Sequence, residues 1–132
     1  GLGHTWAVVL DMQFQCQTIA QLAQRHLSDG AGAQRDDGVA VGNARAYLAV
    51  QAEHGSFCDY IWSYVDGQPL VNAPRQLADY AATSAQSDRL SRDLKARGFK
   101  FVGSTIMYAH MQATGMVNDH VVTCFRHKEV RK

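Results

Sequence analysis

No apolar run in this sequence approaches the ~20 residues that a membrane-spanning helix needs, so no membrane partner is expected. Segments that alternate apolar and polar residues with a period of two are few, which points to an all-α fold. Low-complexity tracts are missing, and no internal repeat stands out beyond helical hairpins. An excess of one charge is missing too. The 13 Lys and Arg against 12 Asp and Glu leave a net charge of +1, which neither demands nor excludes nucleic acid. Cysteine is sparse: Cys16, Cys58 and Cys124 are odd in number and far apart, which argues against a disulfide framework and for a reducing, cytoplasmic location. Neither a signal peptide nor an initiator Met precedes Gly1, and the chain opens in what reads as mid-domain sequence, so a processed or truncated product is expected. What is present is enough for one helical domain over residues 1–132, with its own core and expected to be a monomer.

Thr5 caps a predicted helix through Trp6, Val9, Leu10 and Phe14, and Thr18-x-x-Gln21 reads as the capping box of a second. Asp29-Gly30 stops that helix, and residues 29–38 carry no hydrophobic periodicity and read as a flexible loop. Helix returns from about Val39 to His54, with Gly55 after it. Ser56-x-x-Asp59 opens the next, which Gly67 and Pro69 end. Leu70 to Ala85 is less regular, an extended piece with a short turn around Leu77–Tyr80, and a last helix is expected from Asn118 or Asp119.

The stretch with most to say is a helical hairpin over residues 87–115. Ser87 is the candidate N-cap of its first helix, Leu90 and Leu94 lie one turn apart, and Gly98 supplies the left-handed residue that commonly ends a helix. After the turn Gly98-Phe99-Lys100-Phe101-Val102-Gly103, a second helix begins with Ser104 or Thr105 as cap and stops at Gly115. It is apolar nearly all round and is expected to be the central, buried helix. Such a turn exposes backbone N–H groups where the helix dipole favours an anion, and a DNA phosphate fits there without any sequence being read. The same spacing describes an ordinary αα-hairpin with a glycine cap, which spacing alone favours. Arg89, Arg92, Lys95, Arg97 and Lys100 cluster beside the turn, either as a solvated face or as a backbone-contact patch.

His120 and Cys124 stand four apart on a predicted helix, a spacing at which imidazole and thiolate can share a tetrahedral zinc. Two donors without two more favour a small buried cysteine near a capped histidine. Tyr47, Trp62 and Tyr64 sit at helical positions and read as core aromatics, whereas Asn43 and Arg45 could face a neighbouring helix or DNA.

Several separated motifs agree in order with one family. The run RGFKFVGSTIMYAHMQATGMVNDHVV, the segment GNARAYL at Gly42–Leu48 and Trp62-Ser63-Tyr64-Val65 together resemble the signature of bacterial DNA-3-methyladenine glycosylase I, over roughly Val41 to Cys124. The resemblance implies a helix-hairpin-helix DNA glycosylase fold. It also implies hydrolysis of the N-glycosidic bond of 3-methyladenine in alkylated double-stranded DNA, without a redox cofactor. In the family's pattern Trp6 would stack on the extruded base and Leu2 fill the gap left in the duplex. Trp6 also suits a core position in the first turn of a helix, and Gly3-His4-Thr5 stand where the family has a single serine, lengthening the spacing from Leu2. The hairpin would contact DNA through Arg97, Gly98, Phe99, Lys100, Val102, Gly103 and Ser104. A family zinc, structural in role, would be held partly by His120 and Cys124; its other two ligands belong to a segment before Gly1, and neither His4 nor Cys16 replaces them by motif, so zinc binding is expected to be weak or absent. The family's base-recognising glutamate would also lie upstream of Gly1, which leaves no catalytic residue assigned. Asn118 takes the place where the wider superfamily has a catalytic aspartate, and Asp119 is expected to cap the last helix. The rivals are a non-catalytic helix-hairpin-helix DNA-binding remnant, without that glutamate and half of the zinc site, and a plain helical scaffold.

Overall fold

Helix α1, Asp37–His54, starts two residues before the expected position and stops where Gly55 turns left-handed and its N–H bonds the Gln51 carbonyl. In this computed structural model residues 37–130 are described; the candidate base-binding residue Trp6, Leu2 and the loop expected before residue 37 lie outside them. Ser56 caps the next helix as its spacing implied. Its Oγ accepts from the Asp59 N–H at 2.9 Å and donates to the Asp59 carboxylate at 2.7 Å, and α2 follows over Phe57–Trp62. A 3₁₀ turn at Ser63–Val65 continues α2, and left-handed Asp66 and Gly67 end it. Helix α3 spans Ala85–Ala96 and α4 spans Ser104–Ala113; the last helix, α5, is the short Phe125–Glu129.

The irregular piece after Pro69 contains a two-residue strand, β1 (Leu70–Val71), parallel to β2 (Val117–Asn118), with Leu70 opposite Val117. This bridge departs from the all-α expectation only locally, and the structure is otherwise helical. A 3₁₀ turn at Leu77–Asp79 falls where a short turn was expected. Asp79 closes it by accepting from the N–H groups of Arg75 and Gln76, and the Arg75 bond first among several holds its carboxyl below the usual aspartate range.

Three boundary expectations are corrected. Ser84, not Ser87, caps α3. Ser84 and Ser87 exchange hydroxyl-to-amide bonds at 2.8 and 3.1 Å, which buries Ser87 one turn inside the helix. The last helix does not begin at Asn118 or Asp119, because the Asn118 side chain competes for the backbone: Oδ1 accepts from the His120 N–H and Nδ2 donates to the His127 carbonyl. And α4 is not buried all round. Tyr108 and Met111 are its buried residues, while Ile106 is 53% exposed.

The described residues form two compact units. One comprises residues 37–60 and 94–100, with Tyr47, Val50, Tyr60, Leu94 and Phe99 buried. Within it Tyr47 stacks on Phe57 at 4.7 Å, as the core reading of Tyr47 anticipated. The other comprises residues 61–93 and 101–130, with Leu90, Met111, Met116 and Val117 in its interior. Cys58 is disulfide-bonded, so the reading of the cysteines as a set without disulfides is corrected there. An odd count forbids complete pairing, not a single pair. Cys124 is free.

Candidate nucleic-acid interface

In the first unit, the end of α3 closes with two carbonyls satisfied. Gly98, at φ +92°, donates its N–H to Lys95 at 3.0 Å, and Phe99 donates to Leu94 at 3.1 Å. Phe99 and Leu94 are both buried, which anchors the chain just after the helix; the Phe99 ring lies 5.9 Å from that of Phe57. Lys100 is held by Asn43, whose carboxamide acts like a strip of backbone: Oδ1 accepts the Lys100 N–H at 2.8 Å and Nδ2 donates to the Lys100 carbonyl at 3.1 Å. The amides of Gly98, Phe99 and Lys100 are therefore used inside the protein. The Lys100 ammonium has no partner among the described residues.

Arg97 is also engaged. Its guanidinium makes a fork on the Glu53 carboxylate at 2.7 and 3.0 Å, lies 3.0 Å from His54 Nε2 and sits 4.9 Å above the Tyr60 ring. The Glu53 bond, and after it Tyr60, raises the Arg97 pKa still further, and Arg97 is the first cause that lowers the Glu53 carboxyl. This pair draws α1 and the end of α3 together. Much of the Arg97 charge is balanced locally by Glu53.

In the second unit the turn continues through Phe101, left-handed at φ +59°, to Val102, whose carbonyl accepts from the buried Ser91 hydroxyl at 2.6 Å. Gly103 is the N-cap of α4 in ordinary extended geometry. Ser104, expected as a possible cap, instead starts the helix. Its Oγ donates to the Asp88 carboxylate and lies 2.9 Å from Ser87 Oγ. The N–H groups of Gly103, Ser104, Thr105 and Ile106 have no acceptor among the described residues. They are the orphan donors of a helix start, at the positive end of the α4 dipole. Of the residues named from the sequence, Val102, Gly103 and Ser104 have amides without an acceptor among the described residues, and the Val102 side chain is buried.

Also in the second unit, Asp119 is a hub and not a helix cap. It accepts from Tyr108 Oη and Asn72 Nδ2, both at 2.5 Å, and from Gln112 Nε2 at 2.8 Å. Burial works to raise its pKa, but these three donors outweigh burial and hold it below the ordinary carboxylate range. Burial, and then the bond to Asp119, pushes the Tyr108 phenol up to about 12. Asp119, Tyr108, Asn72 and Arg75 line a surface cavity of about 430 Å³. Asn118 is buried, with Nδ2 donating to the His127 carbonyl and Oδ1 accepting from the His120 N–H.

His120 and Cys124 meet although no helix joins them. The turn closed by the Cys124 N–H on the Val121 carbonyl sets Cys124 Sγ 4.0 Å from His120 Nδ1. Donors on one tetrahedral zinc stand about 3.5 Å apart at ordinary bond lengths, so a small closure fits them to half of such a site. Among the described residues no third His, Cys, Asp or Glu completes the group.

Asn43, Phe101 and Asp119 carry more than the sequence indicated. The GNARAYL segment flagged Asn43 without deciding its partner. The resemblance named Phe99 and not Phe101 as a DNA contact, whereas the structure buries Phe99 and leaves Phe101 exposed, because Phe99 packs against Phe57.

Comparison with known proteins supplies the frame. The family profile described as methyladenine glycosylase matches residues 10–127. The chain is 51% identical over 84 residues to DNA-3-methyladenine glycosylase 1 of Escherichia coli (strain K12), covering 64% of this chain and 45% of that protein. It is 44% identical, over the same shares, to the DNA-3-methyladenine glycosylase of Haemophilus influenzae. The chain thus spans about half the length of the curated relatives it matches. Among solved structures, a crystal structure of 3-methyladenine DNA glycosylase I superimposes with TM-score 0.65 at 40% identity, covering 86% of this chain and 66% of that one. The Staphylococcus aureus 3-methyladenine DNA glycosylase I, studied for its recognition of 3-methyladenine, gives TM-score 0.66 at 27% identity, covering 85% and 63%. With the profile matched over most of its length and the helical fold shared, the chain belongs to the methyladenine glycosylase family.

Proposed function

We propose that this chain serves base-excision repair as a DNA-3-methyladenine glycosylase, with α3, the turn and α4 acting as a helix-hairpin-helix on duplex DNA. Water adds to the anomeric carbon, the N-glycosidic bond breaks, and the methylated base leaves, generating an abasic site. Because 3-methyladenine carries positive charge on the glycosylated base, it departs without strong acid–base help, which suits a site where Asn118 is structural. The observation that carries the reading is the row of N–H groups from Gly103 to Ile106 that have no acceptor among the described residues, in a chain of this family. A phosphate there is held through the backbone, and exposed basic side chains add salt-dependent attraction. Trp6 is assigned to stack on the flipped base by family likeness.

The test has two arms. Binding to duplex DNA should weaken with salt along a log–log slope of a few phosphates, at about 0.9 per phosphate contacted. Methylated duplex should release free 3-methyladenine, detected by chromatography. Binding without release would leave a non-catalytic DNA-binding module; no binding would leave a scaffold.

His120 and Cys124 are assigned to zinc as two of four donors, a structural role with no part in bond breaking. With no third donor beside this pair among the described residues, elemental analysis of the purified chain is expected to find well under one zinc per molecule, and a stoichiometric content would overturn that expectation.

A further inference from the structure

We propose that Phe101 is a DNA-contacting residue whose ring packs on the deoxyribose next to the phosphate held at the start of α4. This rests on the DNA reading above and names a contact which that reading does not contain. Two observations carry it. The ring is 79% exposed, and none of the aromatic or cationic contacts among the described residues involves it. Its backbone is left-handed at φ +59°, a conformation that is strained for a bulky L residue and is otherwise given, among the described residues, to Gly55, Gly67, Gly98 and Gly115, and to Asp66.

The next residue, Val102, is buried with its carbonyl tied to Ser91, while Phe101 itself is left-handed and leaves its side chain exposed. Glycine would meet the backbone requirement without strain. A phenylalanine here is unfavourable within the protein on both counts, strain and exposure, so its favourable contact lies outside. Two residues further on begin the unpaired N–H groups of α4, which suit a phosphate. An anion with an apolar carbon face a few ångströms away is the chemistry of a nucleotide backbone: phosphate on the amides, sugar C–H surface on the ring. The contact reads no base and carries no charge.

The experiment uses the full 132-residue chain and its Phe101→Gly and Phe101→Tyr variants, with fluorescence-anisotropy titration of a labelled duplex at several salt concentrations and thermal melting of each protein. Phe101→Gly is expected to bind duplex about tenfold more weakly, from lost apolar contact, with an unchanged salt slope and an equal or higher melting temperature. Phe101→Tyr, which keeps the ring, is expected to bind within about twofold of the parent. If the parent binds DNA and Phe101→Gly matches it within twofold, the contact is refuted while the DNA reading stands. A loss of affinity accompanied by a lower melting temperature assigns Phe101 a structural role instead and also refutes it. A parent that binds no duplex defeats the DNA reading itself, and this contact with it.

Discussion

Replacing Asp119 by alanine is expected to destabilise the protein by about 2–4 kcal/mol, lowering its melting temperature by on the order of 10 °C. The carboxylate accepts from three side chains drawn from different parts of the second unit: Tyr108 on α4, Asn72 after β1 and Gln112 one turn beyond Tyr108. Hydrogen bonds to a charged acceptor are stronger than neutral ones, and losing the acceptor leaves three donors behind. Tyr108 is the most costly, because its ring is buried and its hydroxyl has Asn72 as its other neighbour only at 3.4 Å. Gln112 is exposed and water can take over its bond, which keeps the total below the sum of three full contributions. Urea unfolding of wild type and variant at neutral pH measures the difference directly. A change under about 0.5 kcal/mol would mean that water replaces the carboxylate in full and that the hub holds nothing together.

Leu90→Ala should cost more, about 3–5 kcal/mol. Leu90 is 0% exposed in the middle of α3, and the second unit also buries Met111 completely. Truncation removes three carbons' worth of burial and opens a void that fixed neighbours close only in part, so a transfer loss and a cavity loss add. The midpoint of urea unfolding should fall while the slope stays constant, the mark of lost stability without a change in the surface exposed. A loss below about 1 kcal/mol would show that α3 is not seated by this residue.

These two positions also mark how far the chain could be read without coordinates. Leu90 and Leu94, one turn apart, and the glycine behind them are local signals, and the helix forms and ends as they dictate. Gly55 and the Ser56–Asp59 cap behave likewise, since a left-handed residue or a hydroxyl three positions from an amide acts within one turn. Asp119 was legible only as a helix cap, because its three partners lie up to 47 residues away along the chain. The apolar composition of α4 misled for a related reason: composition counts residues, while burial depends on which side a neighbour covers, and Ile106 faces solvent.

The candidate interface divides in the same way. From Gly98 to Gly103 the turn was visible in the sequence, but not which amides remain free. Asn43, 57 residues upstream, takes the Lys100 N–H, and the cap geometry takes those of Gly98 and Phe99, which leaves the donors from Phe101 to Ile106 without an acceptor among the described residues. Arg97 was legible as a cation beside a phosphate site, and the fold gives it Glu53.

By itself the amino-acid order determined α1 to α4, the glycine-bounded hairpin and the membership of the methyladenine glycosylase family, because each depends on near neighbours or on motifs in sequence. Tertiary structure alone decided which of two phenylalanines in one turn goes inside, Phe99 at 8% exposure and Phe101 at 79%. The physical reason is that Phe99 follows a left-handed glycine and joins Phe57 within its unit, whereas Phe101 takes a left-handed backbone before the buried Val102 and leaves its ring in solvent.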